Sequence, residues 1–208
     1  MIKRVAYASC YVYSPSGTGA ACERSRLLCA LLKAGDARFM IRCALRVHQL
    51  ALESSRLAGF FCSTDVFVPV PRSIPGSCGT WVAADLAQAL VREGLGATTW
   101  PGLRRVSAVR KSATAAPGTR PSVALHYASF SMDQAPMTPT SVVLIDDVVT
   151  RGRTMLAAAS RVREAFPAAK VRGFALLRTM GQIPQVPMLL DPCTGEIRWR
   201  AGDAQRFP

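Results

Sequence analysis

The stretch Ser141–Phe166 constrains the fold more than any other part of the chain, and it reads SVVLIDDVVTRGRTMLAAASRVREAF. An apolar run, Val142–Ile145, is followed by two adjacent carboxylates, Asp146 and Asp147. After a turn rich in threonine and glycine, the apolar residues recur in steps of three and four, which is typical of one helix face. The residues of that face are Met155, Ala159, Val162 and Phe166. The stretch therefore predicts a buried strand, an acidic pair, a turn and a helix.

The turn and the acidic pair together predict a ligand. A turn that leads into a helix presents unpaired backbone N–H groups and the positive end of the helix dipole, which suits a phosphate. Gly152 lets the backbone approach a ligand closely, and the hydroxyls of Thr150 and Thr154 can add donors. Asp146 and Asp147, at the end of a buried strand, can accept hydrogen bonds from sugar hydroxyls. We therefore expect a sugar phosphate; the alternative is an incidental acidic pair on a structural strand.

This order of residues resembles the phosphoribosyl-pyrophosphate signature of the type I phosphoribosyltransferase family, which is an apolar run, Asp-Asp, two apolar residues and Thr-x-Gly-x-Thr. The resemblance implies an α/β, type I phosphoribosyltransferase-like fold, in which helices flank a mostly parallel central sheet. It also implies a flexible basic loop and a small hood built from the chain termini. Asp146 and Asp147 would be catalytic, would hold the ribose hydroxyls and would contact Mg²⁺ indirectly, through ribose or water. The residues implied to bind the 5-phosphate are Thr150, Arg151, Gly152, Arg153 and Thr154.

A second strand and loop repeat this logic. The segment Thr64–Val70 predicts a strand, Pro71, Arg72 and Ser73 follow it, and a helix is expected from Trp81. The letters VPVPRS resemble the Val-Pro-x-Pro segment of the ComF-type branch of the family, which implies that these three loop residues bind pyrophosphate. The alternative is a structural connection with a surface arginine. The branch's four-cysteine zinc ribbon is missing, because none of the seven cysteines forms a Cys-x-x-Cys pair.

A third segment is basic. No acidic residue occurs from Gly94 to Met132, and Ser107–Pro121 has no apolar period, so we expect a functional loop there. Its cations, with those just before it, are Arg104, Arg105, Arg110, Lys111 and Arg120. By the resemblance, Lys111 and Arg120 are catalytic candidates and Arg110 binds the leaving pyrophosphate. We expect Val123–Met132 to be a strand, with His126 and Tyr127 in structural roles.

The 208 residues suit a single domain. Residues 1–60 are expected to form an N-terminal strand and helices packed on the core, residues 64–179 the core itself, and residues 180–208 an irregular tail or rim. In the second of those helices, expected over Ala37–Leu57, the spacing predicts one inward side. The residues of that side are Met40, Ile41, Leu45, His48 and Leu52.

The formal net charge of +13 favours phosphate-rich partners. No apolar stretch is long enough to span a bilayer, so we expect a cytoplasmic protein without a membrane partner, and a homodimer by analogy with the family. The resemblance implies a phosphoribosyltransferase that transfers the phosphoribosyl group to an unidentified nitrogen nucleophile, which can be a nucleobase. Thr150 disfavours a hypoxanthine or guanine acceptor, because a hydroxyl accepts no proton at neutral pH. Two alternatives stay open: a non-catalytic regulatory or DNA-uptake accessory protein, and a nucleic-acid-binding protein that uses residues 103–120.

Overall fold

The computed structural model describes residues 1–109, 120–181 and 185–208, which form nine strands and five helices. In chain order they are β1 (Arg4–Tyr13), α1 (Ala20–Ala34), α2 (Ala37–Glu53), β2 (Val66–Pro69), α3 (Val82–Arg92), β3 (Thr98–Thr99), β4 (Leu103–Arg105), α4 (Val123–Ala128), β5 (Phe130–Met132), β6 (Ser141–Val149), α5 (Arg153–Ala165), β7 (Lys170–Thr179), β8 (Leu190–Arg200) and β9 (Asp203–Phe207). None of these helices is both long and apolar enough to cross a membrane.

Seven strands form one sheet in the order β3-β2-β6-β7-β1-β8-β9. The five strands from β3 to β1 pair in parallel, whereas β8 and β9 add an antiparallel edge. The predicted α/β class with a mostly parallel central sheet is therefore confirmed. The strands β4 and β5 pair separately as a small antiparallel sheet.

The central sheet is covered on both faces, which explains the nearly continuous apolar run of β6. Helices α1, α2 and α3 pack on one face and share a core with Val143 and Ile145. Helix α5 packs on the other face against Val142 and Leu144, together with residues of α4 and the β4–β5 sheet. Alternate residues of the same strand thus enter different cores.

The order in which strands are added to the sheet reverses between β2 and β6. The strand that follows β2 lies on one side of this pair, and the strand that follows β6 lies on the other side. From β2 the chain passes through α3 on one face to β3, and from β6 it passes through α5 on the opposite face to β7. Such a switch point leaves a crevice at the carboxyl ends of the two strands, and ligands of open α/β sheets bind in crevices of this kind. The acidic pair and the Pro71–Ser73 loop lie at the carboxyl ends of β6 and β2.

The chain termini complete the sheet. The predicted N-terminal strand forms as β1, but it lies inside the sheet between β7 and β8. The expectation of an irregular tail was wrong for residues 190–207, because most of them form β8 and β9. The prolines of the tail suggested an irregular segment, because proline has no N–H to donate in a sheet. Pro192 nevertheless lies in β8, where the pairing with β1 shifts register, and a bulge tolerates the missing N–H.

Two further expectations were wrong. Val123–Met132 is not one strand; α4 occupies its first part, with the Ser122 hydroxyl capping the N–H of Leu125, and β5 the last. In α2 the buried residues are Met40, Cys43, Ala44, Val47 and Leu50, so only Met40 was assigned correctly to the buried side. The helix is apolar on two sides, and periodicity alone did not show which side meets the sheet.

Candidate functional site

The acidic pair lies at the carboxyl end of β6, next to the crevice. Both side chains are half-buried. The N–H of Asp147 donates to Asp146 Oδ1 at 2.9 Å, and the N–H of Val148 donates to Asp147 Oδ1 at 2.8 Å. Burial, and secondarily the neighbouring Asp147 carboxylate, raise the pKa of Asp146 well above its ordinary value. The pair is therefore poised to hold a proton or to attract a cation.

A lysine from another element faces the pair. The Lys33 Nζ, in the last turn of α1, lies 4.0 Å from Asp147 Oδ2, and the Lys33 side chain is 54% exposed. This contact joins residues that are far apart in sequence, so no local pattern in the sequence predicts it. Lys33 partly compensates the negative charge of the pair.

The turn after β6 lines a cavity that brings together Asp146, Arg120 and the five residues predicted to bind the 5-phosphate, whereas Asp147 is not among the described residues that line it. The described residues that line it are Arg120, Asp146, Val148, Val149, Thr150, Arg151, Gly152, Arg153, Thr154 and Met155. Helix α5 begins at Arg153, and its N-cap residue, Gly152, makes no side-chain cap. Among the described residues, the first N–H groups of the helix therefore have no capping side chain at a wall of the cavity, which is the geometry expected for an anion site.

Gly152 is required here for a reason that the sequence did not show. Its φ is 88°, a conformation that favours glycine, and a Cβ built on it would lie 2.6 Å from side-chain carbons of Ile197 in β8. The turn thus packs directly on the C-terminal hairpin β8–β9. Close approach to a protein side chain, as well as to any ligand, excludes a larger residue.

The hairpin also fixes the charged groups of the turn. Arg153 donates from Nε and Nη2 to the two carboxylate oxygens of Asp203, both at 2.5 Å, and from Nη1 to the carbonyls of Pro121 and Arg120 at 3.2 and 3.3 Å. The Arg153 guanidinium is thereby committed to protein groups, and the hydrogen bonds with Asp203 raise the pKa of Arg153. We assign its side chain a structural role, while its backbone N–H remains part of the helix N-terminus.

Two other basic side chains near the turn differ in how far they are held by protein groups. Arg151 Nη1 lies 3.4 Å from Asp203 Oδ2, and the Arg151 side chain is 63% exposed. Arg206 of β9 donates from Nε to the carbonyl of Thr150 at 2.8 Å and from Nη1 to the Tyr7 hydroxyl at 3.0 Å. Sequence reasoning missed Asp203 and Arg206, because the tail carries no motif and only the sheet brings it to the turn.

The Pro71–Ser73 loop stands at the carboxyl end of β2, beside β6, as predicted. Arg72 donates from Nη1 to the carbonyl of Gly79 at 2.6 Å, and the Ser73 carbonyl accepts from the N–H of Val109 at 2.9 Å. The loop residues are not among the described residues that line the cavity at the turn. Because β2 is the neighbour of β6 in the sheet, the loop lies at the same end of the strands as the turn.

The basic segment is partly compensated by protein groups. Arg104 of β4 forms an ion pair with Asp133 through its Nε, just past the acid-free stretch. Arg105 is buried: its Nε donates to the carbonyl of Arg72 at 2.7 Å, and its guanidinium lies 4.3 Å from the centre of the Phe130 ring. Of the cations predicted to contact ligand, Arg120 is exposed and lines the cavity, whereas Arg110 and Lys111 lie outside the described residues.

His126 contacts the turn from α4. Its Nε2 lies 3.4 Å from Thr154 Oγ1, and the residue is buried. Burial and the nearby cations Arg105 and Arg153 lower the pKa of His126 to about 4, so the ring is neutral at pH 7. The sequence had assigned this residue only a structural role, because one histidine on a short segment has no recognisable motif.

The donor set suits a shared magnesium ion rather than a resident one. In the described ranges no group of three or more His, Cys, Asp or Glu side chains could hold a metal. The half-buried carboxylates of Asp146 and Asp147 are oxygen ligands of the kind that Mg²⁺ prefers, and Mg²⁺ commonly completes its coordination with water and ligand phosphates.

Comparison of the chain with known protein families and with curated proteins finds no match.

Proposed function

We propose that this protein is a phosphoribosyltransferase that binds phosphoribosyl pyrophosphate with Mg²⁺ and transfers the phosphoribosyl group to a nitrogen nucleophile. The observation that carries the proposal is one cavity, at the switch point of the sheet, that is lined by Asp146 of the acidic pair and by the N-terminus of α5, with the Pro71–Ser73 loop at the end of the neighbouring strand β2. These features correspond to the sugar, the 5-phosphate and the pyrophosphate of one ligand.

The residues divide the ligand between them. Backbone N–H groups at the start of α5 and the hydroxyls of Thr150 and Thr154 bind the 5-phosphate. Asp146 and Asp147 keep acceptor oxygens for the ribose hydroxyls, since each carboxylate receives one backbone N–H. Asp146 and Asp147 would hold Mg²⁺ indirectly, and the ion would supply positive charge to the bound substrate.

The chain contributes to the reaction by positioning and electrostatics. The bond from C1 of the ribose to the pyrophosphate oxygen breaks, the pyrophosphate leaves with the electron pair, and the acceptor nitrogen forms a new bond to C1. The acidic pair stabilises the positive charge that develops on the ribose, and Arg72 and Arg120 stabilise the leaving pyrophosphate. Because Thr150 cannot accept a proton, the proton of the acceptor leaves to solvent or to pyrophosphate.

The first experiment is a thermal melt with phosphoribosyl pyrophosphate and Mg²⁺. At a hundredfold excess over Kd, we expect the wild-type Tm to rise by about 5–10 °C, because ligand binding at that ratio stabilises by about 2.7 kcal/mol. The double variant Asp146→Asn with Asp147→Asn should lose more than half of that rise. Asp133→Asn is the matched control, since its exposed pair with Arg104 lies away from the cavity, and it should keep the wild-type shift.

A wild-type protein whose Tm does not respond to the ligand would contradict the proposal. Release of pyrophosphate in the presence of a panel of nucleobases then separates a transferase from a non-catalytic binding protein. A Tm shift without turnover of any acceptor would favour the regulatory alternative.

A further inference from the structure

His126 and Thr154 form a contact between α4 and the first turn of α5. His126 is only 4% exposed, and its Nε2 lies 3.4 Å from Thr154 Oγ1. Its other ring nitrogen, Nδ1, is buried and has no hydrogen-bond partner among the described residues. A buried polar atom without a partner is uncommon and calls for an explanation in terms of its neighbours.

The neighbours of the ring are cationic and aromatic. The His126 ring stacks on the Phe130 ring with centroids 6.5 Å apart and planes at 24°. The guanidinium of Arg105 covers Phe130, and both Arg105 and Arg153 act on the ring electrostatically. The Ser129 hydroxyl donates to the carbonyl of His126 at 2.7 Å and accepts from Arg105 Nη1 at 2.5 Å, so the segment that carries the ring is held in place.

The missing partner of Nδ1 selects one tautomer of the neutral ring. A buried N–H without an acceptor is rarer than a buried acceptor without a donor, so Nδ1, which has no partner in the described ranges, carries the lone pair. The proton then lies on Nε2, which points at Thr154. In this arrangement Nε2–H donates to Thr154 Oγ1, and the hydroxyl hydrogen of Thr154 is left free for another acceptor.

We propose that His126 is a positioning residue that orients the Thr154 hydroxyl as a hydrogen-bond donor toward a phosphate monoester held in the turn. This role rests on the proposed function for the identity of the ligand. The hydroxyl that receives a hydrogen bond from His126 offers its own hydrogen to the cavity, and a phosphate oxygen, which only accepts, is its natural partner. The opposite tautomer would consume the hydroxyl hydrogen inside the protein.

Affinity for ribose 5-phosphate, measured by isothermal titration calorimetry at pH 7, tests the role. We expect His126→Leu to weaken binding about tenfold, because one hydrogen bond to a charged oxygen is no longer aligned. His126→Gln should stay within about twofold of wild type, because the glutamine amide can place an N–H where Nε2 was. The matched control is Tyr127→Phe on the same helix, whose hydroxyl donates to Glu164 instead, and it should bind as wild type does.

A double-mutant cycle distinguishes positioning from general damage to the fold. Thr154→Val alone should also weaken binding about tenfold, and adding it to His126→Leu should cause little further loss, since both changes remove the same hydrogen bond. Independent, multiplying losses would overturn the positioning role. Nitrogen-15 spectra of wild-type protein supply a readout that does not depend on any variant: a proton on Nε2 is expected, and a proton on Nδ1 would overturn the proposal.

The outcomes separate the two proposals. Wild-type protein that binds ribose 5-phosphate while His126→Leu binds equally well contradicts the role of His126 alone. Wild-type protein that binds neither ribose 5-phosphate nor phosphoribosyl pyrophosphate contradicts the proposed function, and the positioning role falls with it.

Discussion

Single residues around the turn show how neighbours, rather than residue type, set chemistry. Asp146 and Asp203 are both partly buried aspartates, yet the pKa of Asp146 is raised by burial and the adjacent Asp147, whereas hydrogen bonds with Arg153 lower the pKa of Asp203. The first carboxylate is suited to ligand and cation binding, and the second to a permanent ion pair.

The buried His126 should make stability depend on pH. Its pKa is lowered from 6.5 to about 4, so between these values the unfolded chain binds a proton that the folded protein does not. The contribution of this residue is therefore fully present above pH 6.5 and is lost as pH falls toward 4. Lowering the pH from 7 to 5 should cost wild type about 2 kcal/mol through His126.

Urea unfolding of wild type and His126→Leu at pH 7 and pH 5 measures this contribution. The loss of unfolding free energy between the two pH values should be about 2 kcal/mol smaller in the variant, because leucine does not titrate. Equal losses in both proteins would show that His126 takes up its proton in the folded state.

At the scale of elements, α2 shows why a correct helix can be given the wrong face. Its N-terminus is capped by Asp36, whose Oδ1 accepts from the N–H of Phe39 at 2.7 Å. Its apolar residues occupy two sides, and the side that packs carries Val47 and Leu50, whereas Leu52 is 75% exposed. A cap is a local signal that sequence carries, but the packed face depends on where the sheet lies.

This assignment predicts a contrast between two leucines of the same helix. Leu50→Ala should reduce the free energy of unfolding by about 2–5 kcal/mol, because it leaves a cavity among buried side chains. The matched control Leu52→Ala should change it by less than about 0.5 kcal/mol, because the side chain already faces solvent. Chemical denaturation at pH 7 measures both, and a larger loss at Leu52 would mean that the packed face is the one that periodicity favoured.

Across the whole molecule, the two ends of the parallel strands have different roles. The acidic pair and the turn lie at the carboxyl ends of the strands. At the amino ends of the strands, buried Arg172 of β7 donates from Nη2 to Asp65 Oδ1 at 2.5 Å and to Ser141 Oγ at 2.9 Å. These hydrogen bonds join the starts of β2, β6 and β7. Asp65 Oδ2 also accepts from the N–H of Cys62 at 2.8 Å. This buried network fixes the strands whose opposite ends form the crevice.

Breaking that network should therefore affect stability without affecting the ligand site. Asp65→Asn leaves the Arg172 charge buried and uncompensated, and it should cost about 3–5 kcal/mol of unfolding free energy. In the fraction that remains folded, the Kd for ribose 5-phosphate should match that of wild type, because the Asp65–Arg172 pair lies at the opposite end of the strands from the turn.

The exposed Arg104–Asp133 pair provides the comparison. Its side chains are 68% and 37% exposed, so Asp133→Asn should cost less than about 1 kcal/mol. A similar stability loss in both variants, or weaker ligand binding by Asp65→Asn, would contradict the division of the sheet into a structural end and a functional end.

Patterns in the amino-acid sequence were enough to predict the class of the fold and the residues of the central motif. The strand, acidic pair, turn and helix of Ser141–Phe166 are local, because strand and helix periodicity, a glycine with positive φ and a helix start depend on neighbours in the chain. The α/β class was implied by the family resemblance of this motif. The assignment of the motif to phosphoribosyl pyrophosphate came from resemblance, and the ligand-binding experiments above test it.

The residues that surround the motif are known only from the folded chain. Lys33, His126, Asp203 and Arg206 reach the acidic pair or the turn from α1, α4 and β9. The tail became sheet rather than rim because β1 offered it an edge with which to pair. These contacts depend on the order of strands and on the face that each helix packs, which are properties of the folded chain as a whole. Local sequence carries no signal for them, because hydrogen bonds and ion pairs between distant segments form only after the sheet has brought those segments together.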